Sequence, residues 1–260
     1  ARGEPAVVTA AGRMVRLGVL EIPALPPTAA APNLSGGAPV SEFLSLDKGE
    51  QALALSTLEP DSPGLALGTA QGVVKRVTPD FPQNKDAWEV ISLKDGDQVV
   101  GAVELASDER DLVFVTSDGQ LLRFPAAGVR PQGRAAGGMA GVRLAAGARV
   151  VFFGAVDPAR DAAVVTVSGS SAALPGTDAG AVKVAPYAEY PAKGRATGGV
   201  RCHRFLKGED TLLLAWAGAT PARAAAATGV AVELPEPTGK RDGSGVPGSQ
   251  PIAAVSGPLG

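Results

Sequence analysis

Apolar residues in this chain come in short alternating runs that stop at a threonine and resume three residues later, after a glycine. VVTAAG (Thr9, Gly12) leads into RMVRL, LALGTAQG (Thr69, Gly72) into VVKRV, and LVFVTSDG (Thr116, Gly119) into QLLRFP. AVVTVSG (Thr166, Gly169) leads into SSAALP, and RAAAATG (Gly229, with Ala226 in place of the threonine) into VAVELP. Alternation around a tight glycine turn is the signature of a β-hairpin. The turn glycines at 12, 72, 119, 169 and 229 give a mean period of about 54 residues, close to the range of bladed and solenoid repeats.

A second glycine landmark recurs in register, in FLSLDKGEQALAL (Gly49), VISLKDGDQVV (Gly96), VRLAAGARVVFF (Gly147) and RFLKGEDTLLLAW (Gly208), with IAAVSGPLG (Gly257) as its fifth form. Each reads as two strands joined at a turn, so a copy holds about four strands. Copies three and five match without a gap at an offset of 110 residues, which places Ala224 to Ala227 on the strand LVFVTS. Helix propensity there yields to register. The fold expected is all-β: a single propeller-like domain over 1–260, with four-stranded blades over about 1–58, 59–105, 106–156, 157–217 and 218–260. Radial repetition of this kind leaves only short, protected sheet edges. The pattern leaves open whether the ring closes.

Composition agrees with many short strands and turns: 34 glycines, 22 prolines, 45% hydrophobic and 19% charged residues. Net charge is −2, so an anion-binding role has to rest on local patches. Cys202 is the one cysteine, which excludes an intrachain disulfide and fits a reducing compartment. The longest apolar stretch, around 212–218, is far short of a membrane span. The chain begins at Ala1 rather than Met and reads as a domain of a longer polypeptide.

The strongest local signal is basic. From Gly119 to Val156 the chain carries Arg123, Arg130, Arg134, Arg143 and Arg149 with no acidic residue. RPQGRAAGGMAGVRL (130–144) matches PAKGRATGGVRCHRF (191–205), aligning Arg134 with Arg195, Gly137–Gly138 with Gly198–Gly199, and Arg143 with Arg204. Paired glycines permit close backbone approach and expose amides to an anion, and arginines supply bidentate phosphate contacts. Both suit a nucleic-acid backbone. A solvated glycine-rich loop with surface arginines is the plainer alternative.

These motifs resemble the C-terminal domain of bacterial type IIA topoisomerase A subunits, the family of the DNA gyrase and topoisomerase IV A subunits. The resemblance rests on GRAAGGMAGVRL, GRATGGV and the T-x-x-G hairpins with a Lys or Arg soon after the glycine. It covers essentially the whole chain and implies a β-pinwheel, a propeller-like disc whose basic outer rim bends or wraps duplex DNA. It also implies a cytoplasmic holoenzyme in which the B subunit is a partner, together with the rest of the A subunit. That holoenzyme uses ATP and Mg, and no cofactor belongs to this domain. The DNA-contacting candidates are Arg130, Arg134, Arg143, Arg149, Lys193, Arg195, Arg201, Arg204 and Lys207, with Arg123, Lys75 and Arg76 after the hairpin turns.

Two departures temper the match. Where gyrase subunits carry the basic box Q-R-R-G-G-K-G, this chain has SGGAPVSEF (35–43), which is similar to the degenerate box of topoisomerase IV, and five copies rather than six lean the same way. The segment 89–111 holds seven carboxylates (Glu89, Asp95, Asp97, Glu104, Asp108, Glu109, Asp111) against Lys94 and Arg110, so part of the rim is expected to repel DNA. No G-x-S-x-G elbow or Walker A loop occurs. Cys202–His203 lacks partner ligands for zinc, Asp95-Gly96-Asp97 reads as a turn, and Tyr187 and Tyr190 read as packing or rim residues rather than nucleophiles. The domain alone is expected to catalyse nothing. A propeller that binds an acidic protein, or one with a site in its central channel, are the competing readings.

Overall fold

The computed structural model describes residues 5–22, 38–174 and 176–258. Its strands form five small sheets. The first sheet has the order β3 (Ala52–Thr57), β1 (Pro5–Thr9), β2 (Arg13–Arg16), β6 (Ala87–Glu89). The second runs β7 (Val99–Glu104), β4 (Leu65–Thr69), β5 (Val73–Val77), with β10 (Pro131–Gln132) and β11 (Met139–Ala140) both on the outer side of β5. The third is β12 (Val150–Val156), β8 (Asp111–Thr116), β9 (Gln120–Pro125), β15 (Val200–Arg201). The fourth is β16 (Thr211–Ala219), β13 (Ala162–Gly169), β14 (Ala181–Pro186), β19 (Val246–Pro247), and the fifth is β20 (Ala254–Ser256), β17 (Arg223–Ala225), β18 (Ala231–Val232).

The sequence pattern assigns four strands to each copy; the sheets are assembled differently. In the first four, the outermost strand comes from the following repeat, from the segment that crosses the rim before the chain turns inward. Each such crossing pairs with the residue two after the turn glycine of the preceding hairpin: Trp88 with Met14, Met139 with Val74, Val200 with Leu121, and Val246 with Val182. The paired glycines of the crossings are therefore used inside the fold. Gly199 has φ +74°, and a Cβ on it would overlap the Leu121 carbonyl. Only glycine meets both demands.

The first, second, third and fifth hairpins turn as expected, with the N–H of Gly12, Gly72, Gly119 and Gly229 donating to the carbonyls of Thr9, Thr69, Thr116 and Ala226 at 2.9–3.0 Å. The fourth does not. Gly169 stays within β13, SSAALP is not its second strand, and the chain loops out before returning as AVKVAP at 181–186. Gly180 (φ +63°) is the equivalent turn residue, because its carbonyl accepts the N–H of Gly248. The carbonyls of Gly12, Gly72 and Gly119 accept those of Val90, Gly141 and Cys202 in the same way. Ser168, where the ladder to the inner strand bulges, stands at the place of Thr9, Thr69 and Thr116. Ala224–Ala225 is strand, as register requires, but Ala226 and Ala227, expected to continue it, lie past its end, with Ala227 in the turn before Gly229. Gly257 has no left-handed φ, unlike Gly49, Gly96, Gly147 and Gly208.

The central strands β4 and β8 are buried along their whole length, as expected for strands covered on both faces. Four apolar clusters fill the spaces between successive sheets. Phe114 on β8 packs against Phe153, its cross-strand partner on β12, with ring centroids 4.8 Å apart, and Phe153 in turn abuts Gly68 and Gly101 of the second sheet.

Replacing Gly199 by alanine is expected to lower the unfolding free energy by more than about 2 kcal/mol, from the left-handed backbone and the carbonyl clash together. Gly194→Ala, where nothing lies within 4 Å of the added carbon, should cost under about 1 kcal/mol. Denaturant titration of the two variants checks this.

Candidate nucleic-acid interface

Since the crossings are the outermost strands, they form the rim, and successive crossings are stapled through the backbone. The N–H groups of Ser92, Arg143 and Arg204, four residues after Trp88, Met139 and Val200, donate to the carbonyls of Ala136, Thr197 and Gly243 on the next crossing, at 3.0–3.3 Å. The staples hold the side chains of these three residues at the same place on consecutive crossings. Arg143 and Arg204 are exposed, and their side chains have no hydrogen-bond or ion-pair partner among the described residues.

The twelve basic residues named from sequence separate into three groups. Arg130, Arg143, Arg149, Lys193, Arg201, Arg204 and Lys207 are exposed; of these only Lys193 uses its side chain internally, donating to the Gly199 carbonyl at 3.2 Å. Arg134 and Arg195 are half-buried and hold backbone: Arg134 Nε donates to the Asp80 carbonyl at 3.0 Å, and Arg195 donates to that of Ala140. Lys75, Arg76 and Arg123 are not rim residues.

Those three fail as surface candidates for a common reason. They follow a turn glycine by three or four residues, where the second hairpin strand runs beneath the next crossing. Lys75 is fully buried, and its ammonium donates to the carbonyls of Val90, Arg134 and Ala136 at 2.6–2.8 Å. Burial brings its pKa down to about 8. Lys183, three residues after Gly180, repeats the device with the carbonyls of Lys240 and Arg241. Arg76 is buried and bonds the carbonyls of Ala126 and Val129 and the carboxylate of Asp108. Arg123 pairs with Asp111 at 3.1 Å and lies over the Tyr187 ring. Arg16, also four residues past its glycine, donates to the carbonyls of Lys85 and Pro82. Lys75, Lys183 and Arg16 are thus clamps on the crossings, while Arg76 and Arg123 hold the segments just ahead of them.

Arg13, after the first turn, is likewise engaged, with Glu50 at 2.5 Å and Asp47 at 3.1 Å. Its hydrogen bond holds the Glu50 carboxyl down at about 2, helped by the Thr9 hydroxyl against the cost of burial.

The structure adds a third basic crossing that sequence alignment does not find. Lys240-Arg241-Asp242-Gly243-Ser244-Gly245 occupies the place of GRAAGG and GRATGG, and the Arg241 guanidinium bonds the Arg201 carbonyl as Arg195 bonds that of Ala140. Counting the fourth copy from Gly169 instead of Gly180, together with Ser244 in place of the first glycine, hides the match. The same segment spells G-x-G-x-x-G over 243–248, but it lies on a rim crossing and opens no helix, so the dinucleotide geometry is absent.

Charge is uneven along the rim. The second and third crossings (130–147 and 191–208) carry only basic residues, whereas Asp80, Asp86 and Glu89 stand on the first and Asp242 on the fourth. Several of the seven carboxylates between 89 and 111 are engaged within the chain: Asp111 is buried against Arg123 and the Tyr187 hydroxyl, Glu104 accepts from the Thr57 N–H and hydroxyl, and the exposed Asp108 holds Arg76. Cys202 and His203 are buried; burial pushes the thiol up to about 12 and the imidazole down to about 4, and His203 Nδ1 shares a 2.9 Å hydrogen bond with Thr166. Tyr187 and Tyr190 are buried, with phenols raised by burial. Among the described residues no three His, Cys, Asp or Glu side chains gather as a metal site, and no helix is long and apolar enough to cross a membrane.

Five sheets, each of the first four completed by a strand from its successor, and a rim of stapled Gly/Arg crossings define a β-pinwheel. Residues 110–157 and 176–213 match the family model described as the DNA gyrase C-terminal domain, beta-propeller. The chain is 33% identical over 168 residues to the DNA gyrase A subunit of Escherichia coli, covering 63% of this chain and 18% of that protein. With the corresponding gyrase protein of Mycolicibacterium smegmatis, identity is 32% over 209 residues, covering 79% of this chain and 23% of that protein. It thus spans about a fifth of the length of the curated relatives it matches. In fold it resembles the C-terminal domain of DNA topoisomerase IV (TM-score 0.75, 19% identity, 98% of this chain and 79% of that one) and that of DNA gyrase A (0.69, 18%, 97% and 81%). The chain belongs with the C-terminal domains of type IIA topoisomerase A subunits.

Two outcomes follow for the clamps. Lys75→Met is expected to cost about 2–4 kcal/mol of stability, because it strands buried carbonyls worth about 1–3 kcal/mol each when left without a donor; chemical denaturation reads it. Glu50 has a folded pKa of about 2 against 4.5 when free. Its stabilisation is therefore present above 4.5 and lost as pH falls toward 2, and an acid titration of Glu50→Gln should lack that part of the transition.

Proposed function

We propose that this domain binds duplex DNA without catalysis, holding the phosphates of a bent segment along the second and third crossings. The observation that carries the reading is the pair Arg143 and Arg204: exposed, without internal partners among the described residues, at equivalent places on two stapled crossings that hold no acidic residue. Arg130, Arg201 and Lys207 extend the same cationic surface. Such a row reads phosphates rather than bases. Bending a site of 20–30 bp costs on the order of 1–6 kcal/mol, which several phosphate contacts can offset.

In the longer polypeptide, the bent segment is presented to the cleavage and ATPase parts of the topoisomerase. The domain's partners are then the B subunit, the remainder of its own polypeptide and DNA, in the cytoplasm. The absence of any basic residue in SGGAPVSEF supports a topoisomerase IV-like manner of binding rather than full gyrase-type wrapping; residues 35–37 of that segment lie outside the described ones.

A salt titration of duplex binding tests the proposal. Arg143→Ala/Arg204→Ala should make the log–log slope shallower by about two contacts. Arg134→Ala/Arg195→Ala, which removes the backbone-holding pair, should lower stability while changing the slope less. Absence of binding at low salt would sink the DNA reading and favour an acidic protein partner.

A further inference from the structure

The first crossing is built like the second and third but charged differently. Glu89 and Ser92 stand one and four residues after Trp88, the places that Arg201 and Arg204 hold after Val200. The backbone contacts are the same at each: Val90 and Cys202 donate to the carbonyls of Gly12 and Gly119, and Ser92 and Arg204 to carbonyls of the next crossing. Glu89 and Ser92 are exposed, and neither side chain has a partner among the described residues. Asp86 is exposed beside them, so Lys85 offsets only one of two carboxylates. A phosphate following the rim from the second crossing onto the first would meet an anion at the position where the third offers a guanidinium.

We infer that Glu89, with an uncharged residue at 92, terminates the DNA path, so that the duplex leaves the disc between the first and second crossings. The inference rests on the DNA reading and adds the boundary that sets how much duplex the disc holds. Like charge at a fixed rim place costs attraction without altering shape, and so acts as a specificity element against a longer wrap.

The test compares the salt dependence of binding to linear duplex, and nuclease footprints, for the wild-type domain, Glu89→Arg/Ser92→Arg and Glu59→Arg/Asp61→Asn. The last adds the same charge in the exposed loop between β3 and β4, which belongs to no crossing. The rim variant should steepen the slope by about two phosphate contacts and lengthen the footprint at one end only, while the control does neither. An unchanged slope and footprint in the rim variant, or equal changes in rim variant and control, would overturn the boundary. Failure of the wild type to bind would instead remove the DNA reading beneath it. Arginine at 89 would stand opposite Arg13 across the strand pair, so Glu89→Gln, which removes the charge at constant size, serves as the second variant. It should bind several-fold more tightly at low salt, and no gain would count against the boundary.

Discussion

Backbone N–H and C=O groups along a sheet edge have to be paired or wetted, and this chain meets that demand by lending strands forward. Each of the first four hairpins has a second strand whose outer edge would be open, and the next repeat's crossing closes it. The contact is anchored at one recurring point, the carbonyl of the turn glycine, which receives an N–H from the crossing at Gly12, Gly72, Gly119 and Gly180. That exchange ties neighbouring repeats together through main chain as well as through the apolar clusters between sheets. It also brings the Gly/Arg segments to the outside of the disc.

The cations of the chain divide by the same geometry. Those on the second hairpin strand lie beneath a crossing, where their charge is taken up by its carbonyls or by a carboxylate, as with Lys75, Lys183, Arg76 and Arg123. Those on the crossing itself, Arg143 and Arg204, face outward. A buried ammonium surrounded by three carbonyls stabilises a fold because its removal leaves acceptors unsatisfied; an exposed guanidinium contributes little until a phosphate arrives. Two residue classes that look alike in a sequence therefore serve opposite ends, one intramolecular and one directed at a partner.

Much of this is legible in the chain alone. The T-x-x-G turns, the alternation around them and the five-fold recurrence predict small sheets in sequence, and the match of 130–144 to 191–205 locates the rim. Register overrides propensity correctly at Ala224–Ala225, although the strand stops short of Ala226 and Ala227. The fourth hairpin escapes the pattern because Thr166 and Gly169 imitate the turn signal, while the ladder bulge falls at Ser168 and the chain turns at Gly180. Local pattern cannot separate a glycine inside a strand from one at its end when a loop intervenes. The third basic crossing, at 240–245, is lost with that frame.

The sequence by itself determined where strands form, how often the unit repeats and which segments concentrate positive charge, because these depend on side-chain alternation and turn chemistry within a few residues. Only the tertiary structure decided which strand completes which sheet and which cations reach the surface. Those depend on pairings between residues some 65 to 80 positions apart, such as Met14 with Trp88 and Leu121 with Val200, and on whether a backbone carbonyl lies within reach of a given ammonium. Lys75 and Arg143 are both basic residues near glycines; what separates them is that a crossing covers the first and carries the second.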